Sequence, residues 1–389
     1  MISRAPDLAR PVKILYLLPT LAAGGTEQQV ALLIRGLNRT KFMPLVATIY
    51  GPDRVPIEVE VRDCRHASLR KPLGKAGNLV ALARLWQLIR SERPALIQSF
   101  LRPADLYSRL AGPLAGQPKV VTSLRTRIAG FWSPGWQWAE RVLWRASAVI
   151  VSNSHSAADE ACRRLGIPGS RLRVIPNGVD LERFRPQWDS AAARGRIGLG
   201  RWDSLVGMVA RYSPVKDHET LLLALRRMTQ AGDWPGGAGM LLVGGTTYQE
   251  SRDQVEAQIR DWGLQNRCEV RGVSADIAGV YHALDWMVLP SRYEGFPNTV
   301  LEAMACGRPV IVSSAANAEG IVEEDRTGFV FPAGDPDALA NCLRKALRLP
   351  EGERQSMGRA ARAQVERNFS ANVMVDRYEA LYDELLRKG

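Results

Sequence analysis

The stretch Leu289-Pro290-Ser291-Arg292-Tyr293-Glu294-Gly295-Phe296-Pro297-Asn298-Thr299-Val300-Leu301-Glu302-Ala303-Met304-Ala305-Cys306-Gly307-Arg308-Pro309-Val310 decides the fold class. It opens at the end of the apolar run 286–289, passes through a loop rich in Gly and Pro, and continues as a helix predicted to start near Asn298 and stop at Gly307. A new apolar run begins at 310. Strand, loop, helix and strand in that order is the unit of a parallel sheet covered by helices. The pattern continues both ways along the chain. Strands are predicted at 12–18, 45–49, 95–99, 119–123 and 148–151, and a second series at 204–210, 240–243, 268–271, 286–289 and 310–312. Helical periodicity lies between them at 28–37, 79–90 and 157–165, then at 217–230, 250–262, 298–306 and 336–348.

Two consecutive doubly wound α/β units are the simplest reading, and 389 residues suffice for two separate cores. The boundaries predicted are 1–183 for the first unit and 202–369 for the second, with 184–201 as a linker rich in Pro, Ala and Gly. The last segment, 370–389, reads as a helix capped by Ser370, with Val373, Tyr378, Leu381, Leu385 and Leu386 apolar. Open α/β sheets take ligands at the carboxyl ends of their strands, so two such units are expected to face a central cleft.

The net charge is +12, from 52 Lys plus Arg against 40 Asp plus Glu. Residues 1–180 hold 26 basic and 12 acidic side chains, whereas the rest hold 26 and 28. The excess therefore belongs to the first half, which suits nucleic acid, an anionic membrane surface or a phosphorylated substrate. A nucleic-acid module needs stacking aromatics in a basic groove and a recognisable motif, and the reading excludes nucleic acid as a partner. An apolar fraction of 46% excludes global disorder, and no apolar run approaches the length of a membrane span. Five scattered cysteines without a CxxC pair, and a start lacking a secretory h-region, point to a reducing cytoplasm and to no structural metal.

Three motifs carry chemistry. Gly24-Gly25-Thr26-Glu27 follows the first strand; its glycines permit close backbone approach, and Thr26 with Gln29 reads as a capping box whose helix start attracts phosphate. It is neither GxGxxG nor a P-loop. The strand ending at Ala210 delivers Arg211 and then Lys216, a forked donor and a point charge suited to a diphosphate leaving group. In the quoted stretch, the amides of Asn298, Thr299 and Val300 would bind diphosphate, Glu302 could accept from ribose hydroxyls, and Glu294 could hold a second polyhydroxylated group.

Together these residues resemble the retaining glycosyltransferases of family 4, which have the GT-B architecture, over nearly the whole chain. Gly24-Gly25-Thr26-Glu27 looks like the family's N-terminal loop, and Val174-Ile175-Pro176-Asn177-Gly178-Val179-Asp180 like its hinge approach, followed by its Phe184. Arg211 and Lys216 match its basic pair, and Glu294 with Glu302 its E-x7-E signature; EGFPNTVLEAMACGRPVI is the most specific match. The resemblance implies transfer of a sugar from a nucleotide donor, a UDP- or GDP-sugar, with retention at the anomeric carbon. It implies no essential metal and no cofactor beyond that co-substrate. Arg211, Lys216 and Glu294 would be the catalytic residues. Gly25, Val273, Gly295, Phe296, Asn298, Thr299 and Glu302 would complete the donor set, with residues 270–274 against the nucleobase. Gly24, Gly25, Thr26 and Arg125 would meet the acceptor, and the final helix would cross back onto the first domain. Relatives often carry a histidine in the segment Thr122-Ser123-Leu124-Arg125-Thr126; this chain has Arg125. The acceptor implied is a lipid-linked or surface-polysaccharide intermediate, met by a monomer or weak dimer at the inner face of the cytoplasmic membrane. Two alternatives stay open: a catalytically impaired nucleotide-sugar-binding partner subunit, and a GT-B-type sugar-nucleotide epimerase.

The segment from Phe131 to Arg145 holds four of the ten tryptophans. Ser133 and Pro134 predict a helix start. Trp136, Trp138, Ala139, Val142 and Leu143 share one face, read as core. Phe131, Trp132 and Trp144, beside Arg141 and Arg145, are read as the contact with an anionic membrane surface.

Overall fold

The computed structural model describes residues 11–21, 24–50, 64–74, 76–116, 119–126, 128, 132–246 and 249–387. Phe131 lies outside the described residues. The chain divides into two compact units, one running to Gly178 and resuming at Ala371, the other covering Val179–Ser370.

The first unit contains β1 (Val12–Leu18), α1 (Gly25–Gly36), β2 (Phe42–Thr48), β3 (Arg65–Ser68), α2 (Ala76–Glu92), β4 (Leu96–Ser99), α3 (Arg102–Leu114), β5 (Val120–Leu124), α4 (Pro134–Leu143), β6 (Val149–Ser152), α5 (His155–Leu165) and β7 (Leu172–Val174). Its described strands form one parallel sheet in the order β3-β2-β1-β4-β5-β6-β7. The second unit contains α6 (Ser190–Arg196), β8 (Ser204–Val209), α7 (His218–Gln230), β9 (Ala238–Val243), α8 (Gln249–Asp261), β10 (Cys268–Arg271), α9 (Ile277–Ala283), β11 (Trp286–Leu289), α10 (Asn298–Ala305), β12 (Val310–Ser313), β13 (Gly328–Phe331), α11 (Pro336–Arg348) and α12 (Glu351–Asn368), followed in the first unit by α13 (Ala371–Arg387). Its sheet is also parallel, ordered β10-β9-β8-β11-β12-β13. Central strands such as WMVL and LLV are buried on both faces, which is why they read as unbroken apolar runs. Strand order reverses between β1 and β4 and between β8 and β11, and each reversal leaves a switch point at the strand ends.

The predicted linker 184–201 is a structural part of the second unit. Phe184, Ala193 and Leu199 are in its core, and α6 is capped by Asp189. Arg194, also buried, reaches Asp285 at 2.9 Å, while Asp285 also accepts from Ser190 Oγ at 3.0 Å and from Leu205 N at 2.8 Å. Its buried side chains fall at the irregularly spaced positions 184, 190, 193, 194 and 199 among exposed ones, which leaves little periodicity to read. The chain leaves the first unit at Gly178 and re-enters it at Ala371; a Cβ on Gly178 would lie 2.9 Å from Ala371 Cα. Helix α13 then buries Met374, Val375, Tyr378, Leu381, Tyr382 and Leu385 in the core shared with β1 and α1. Removing the Asp285 carboxylate leaves Arg194 charged and buried without its partner. Asp285→Ala is expected to cost about 3–5 kcal/mol, measured by urea unfolding.

Candidate active site

The switch point of the second unit gathers most of the expected donor residues. β8 and β11 are hydrogen-bonded neighbours, so the loops leaving their carboxyl ends start side by side. One carries Arg211 and, in the single 3-10 turn Pro214–Lys216, Lys216. The other carries Ser291, Arg292 and Glu294. Lys216 Nζ donates to Glu294 Oε1 at 2.5 Å, and Ser291 Oγ donates to the same oxygen at 2.6 Å. Ser291 is held in turn by Ser313 at the end of β12, whose hydroxyl donates to the Ser291 carbonyl at 2.5 Å. Arg211 is exposed, and its guanidinium makes no hydrogen bond or ion pair with the described residues. Gly244, where β9 ends, admits no side chain, because a Cβ there would meet the Ala210 carbonyl oxygen at 1.8 Å. This close approach brings the loop after β9 against the one that carries Arg211.

Helix α10 starts at Asn298, as the sequence predicts, with Pro297 in the capping position and no side-chain cap. Of the three expected phosphate-binding amides, two have local partners: Asn298 N donates to Phe296 O at 3.1 Å and Val300 N to Pro297 O at 3.0 Å. The amide of Thr299 donates to no described group, so it is the helix-start donor left for an anion. The Phe296 side chain packs in the core against Phe369, which leaves only its main chain for a ligand. Gly295 precedes it in the loop, half-buried. Val273, two residues past β10, is 81% exposed, an apolar side chain with room for a flat partner.

Glu302 is deeper. Its carboxylate accepts from Tyr281 Oη at 2.7 Å. Burial pushes its pKa up from 4.5 to about 7, against the opposing pull of that hydrogen bond and of Arg183. His218 is buried and stacked on Tyr212 at 5.0 Å, while Asp217 takes the cap of α7. Burial pushes the His218 pKa down to about 4, so the ring is neutral at pH 7. A cavity of about 300 Å³ is lined by Ser213, Asp217, His218, Ser251 and Arg292 among others; the expected donor residues do not line it. Tyr281, Ser291, Asp217 and Arg292 received no role from the sequence. Ser291 and Arg292 stood inside the decisive stretch, but nothing in their spacing pointed to their partners.

In the first unit the structure corrects three expectations. The Thr26–Gln29 capping box is not formed: α1 starts at Gly25 with Gly24 as its uncapped N-terminal residue. Gln29 is instead spent on Gly178, donating to its carbonyl and accepting from its amide, each at 2.8 Å. The start of α1 already faces an anion, since the Glu27 carboxylate folds back so closely that a Cβ on Gly24 would lie 2.3 Å from it. Burial raises the Glu27 pKa, and an anionic ligand at Gly24, Gly25 and Thr26 must meet Glu27 protonated or displaced. Second, Arg125 is not a free acceptor-facing cation. It is buried at the end of β5, donating to Asn177 Oδ1 at 2.6 Å and to Tyr378 Oη at 2.8 Å, and so ties α13 to the sheet. Third, the faces of α4 are reversed. Trp132 and Trp144 are buried, whereas Trp136 and Trp138 are 36% and 67% exposed and Val142 is exposed as well. The cause is Glu140, drawn inward by Arg109 of α3 through two bonds of 2.7 Å.

Comparison with known proteins follows the geometry. Residues 203–348 match the family described as Glycosyl transferases group 1, and residues 23–183 match Glycosyltransferase Family 4. A UDP-Gal:alpha-D-GlcNAc-diphosphoundecaprenol alpha-1,3-galactosyltransferase of Escherichia coli is 26% identical over 335 residues, 83% of this chain and 82% of that protein. A D-inositol 3-phosphate glycosyltransferase of Segniliparus rotundus is 30% identical over 243 residues, 62% of this chain and 53% of its own length. In fold, the chain is similar to HepE of Anabaena, solved with UDP, at a TM-score of 0.82 and 22% identity over 96% of this chain and 100% of that one.

Glu302 gives a pH test. A carboxyl whose folded pKa lies above its unfolded value stabilises the fold below about pH 4.5 and loses that contribution as pH rises through 7. Glu302→Gln removes this dependence, so its melting temperature should gain on wild type between pH 5 and pH 8; a constant difference across that range would contradict the assignment. The two matched families together take in more than three quarters of the sequence, and the chain belongs to the group 1, family 4 glycosyltransferases with the GT-B fold.

Proposed function

We propose that this glycosyltransferase moves a sugar from a UDP-sugar to a lipid-linked or polysaccharide acceptor, with retention at the anomeric carbon and no essential metal. The observation that carries the reading is the Lys216–Glu294 pair at the β8/β11 switch point, with Arg211 exposed beside it. In the transfer, the bond from the anomeric carbon to the diphosphate oxygen breaks and a bond to the acceptor oxygen forms. The acceptor hydroxyl proton leaves with the diphosphate. Charge grows on the departing diphosphate, where Arg211, Lys216 and the Thr299 amide supply donors. Two side-chain cations at that point support a reaction without a metal. Glu302 is assigned to the ribose hydroxyls, Val273 to the nucleobase and Glu294 to the sugar. Uridine as the base is supported by the UDP complex of HepE and the UDP-Gal named for the Escherichia coli relative.

The acceptor is assigned to the first unit. Its residues, 1–178 with 371–389, hold 29 basic against 15 acidic side chains. That excess suits a pyrophosphate lipid. Support comes from the diphosphoundecaprenol acceptor of the Escherichia coli relative and from a lipopolysaccharide core mannosyltransferase, LpsB of Rhizobium meliloti, 27% identical over 259 residues. Among the described residues no helix is long and apolar enough to cross a membrane. The enzyme is placed in the cytoplasm, peripheral on the inner membrane face, through α4. This helix buries no residue and turns Trp136, Trp138 and Val142 outward, while Arg102 lies over the Trp136 ring at 5.7 Å. Apolar rings flanked by arginines are the composition of an interfacial helix.

Two experiments test the reading. In a panel of UDP-, GDP- and ADP-sugars, a UDP-sugar should raise the melting temperature. Lys216→Ala and Glu294→Ala should then each lower turnover by about 10²–10³-fold, and wild-type turnover in both variants would remove these residues from the mechanism. For the membrane, flotation with vesicles containing anionic lipid should fall in Trp138→Ser and at high salt. Equal recovery under all conditions would argue against α4 as the contact.

A further inference from the structure

The two loops that carry Lys216 and Glu294 are joined a second time, with the charges reversed. Asp217, the residue after Lys216, pairs with Arg292, two residues before Glu294: Arg292 Nε lies 3.0 Å from Oδ2 and Nη2 donates to Oδ1 at 3.2 Å. The Arg292 amide also donates to the Val215 carbonyl at 2.9 Å. Across these two contacts each loop contributes one cation and one anion, and each meets its opposite. Only one register satisfies both pairs, since a slip sets like charges face to face.

Asp217 holds an uncommon backbone conformation, φ 56°, in the left-handed region where Asp is among the tolerated residues. Its buried carboxylate also accepts from Thr220 Oγ1 at 2.7 Å and caps α7. The anion is therefore fixed by the helix before Arg292 arrives. Arg292 is largely exposed, its side chain 60% accessible, and an exposed pair contributes little to global stability. Its effect is local and geometric.

The two pairs differ in what a ligand does to them. A diphosphate arriving at Lys216 competes with Glu294 for the ammonium, so the inner pair weakens when the donor binds. The outer pair bears no assigned contact with the donor and can keep the loops together while Lys216 changes partner. We propose that Asp217 and Arg292 are positioning residues, a latch that sets the spacing of the two donor loops while the Lys216–Glu294 bond is exchanged for a bond to the diphosphate. The proposal rests on the donor-site reading above. It assigns no proton transfer or covalent role to either residue.

Calorimetric titration with UDP and GDP as probes separates the two ideas. Asp217→Asn keeps the cap and the shape and removes the charge; Arg292→Gln leaves α7 untouched. Each should weaken binding of whichever nucleotide the wild type takes by about tenfold. The double variant should lose little more than either single one, Arg292→Lys should recover part of the loss, and the melting temperature of ligand-free Arg292→Gln should stay at the wild-type value. Wild-type affinity in Arg292→Gln overturns the latch. So does full additivity in the double variant, or a loss confined to Asp217→Asn with a lowered melting temperature, which marks the helix cap alone. If the wild type binds neither nucleotide, the donor reading falls and the latch with it; if it binds one and Lys216→Ala weakens that binding while the latch variants do not, only the latch falls.

Discussion

Asp285 fixes the register on which the second unit's chemistry depends. Its carboxylate accepts from the Leu205 amide at 2.8 Å, and its own amide donates to the Leu205 carbonyl at 2.8 Å, so β8 and β11 are locked together where both begin. In a parallel pair this also sets where both end, because the strands run in the same direction from a common origin. From those ends hang Arg211, Lys216, Ser291 and Glu294. The lock needs help from Gly207, whose missing Cβ makes room for the Leu284 side chain 2.4 Å from where that carbon would stand. A buried charge is costly unless fully bonded, and Asp285 meets that condition through Arg194, Arg354, Ser190 and Leu205. Precision at the strand ends is thus bought with a polar cluster at the strand starts.

The two units manage charge differently. With the boundaries found in the structure the first holds a surplus of fourteen basic side chains and the second a deficit of two. In the first unit much of the surplus is exposed, yet some of its arginines work inside. Arg109 organises Glu140, Thr122 and Ser147 beneath α4, and Arg125 binds Asn177 and Tyr378. In the second unit a small number of cations stand at the strand ends, facing carboxylates. Glu294 is bonded to Lys216 and Ser291, whereas Glu302 lies deeper, against Tyr281, where burial pushes its pKa up to about 7. Two glutamates eight positions apart therefore differ in their hydrogen-bond partners and in their surroundings.

Most of the architecture was legible because central strands buried on both faces leave unbroken apolar runs; 268–271 and 286–289 match the observed strands to the residue. The edge strands β3, β7 and β13 escaped notice, being three or four residues long, and RHAS in β3 carries no apolar alternation at all. Helix α12 was hidden by its polar composition; it packs through small residues, and Gly358 comes so close to the Gly307 carbonyl that a Cβ would lie 2.2 Å from it. In the site, residue types and spacing pointed to Lys216 and Glu294, because charged residues in loops at strand ends are an informative pattern, and to Glu302 one turn into the helix that follows. Pairings across loops, such as Tyr281 with Glu302, join residues far apart in the chain and leave no local trace. The reversal of α4 shows a limit of periodicity: it groups residues on one face of a helix, but which face is covered depends on what waits opposite, here Arg109.

The discontinuity of the first unit has a consequence for how the protein is made. Its core is incomplete without Tyr378, Leu381, Tyr382 and Leu385, which come from the last helix of the chain. The second unit, by contrast, is a single uninterrupted span. During synthesis from the amino terminus, domains fold as their residues become available. The half that begins first therefore waits with an open hydrophobic face until α13 has emerged, while the half that begins second can close its core as soon as Ser370 has emerged.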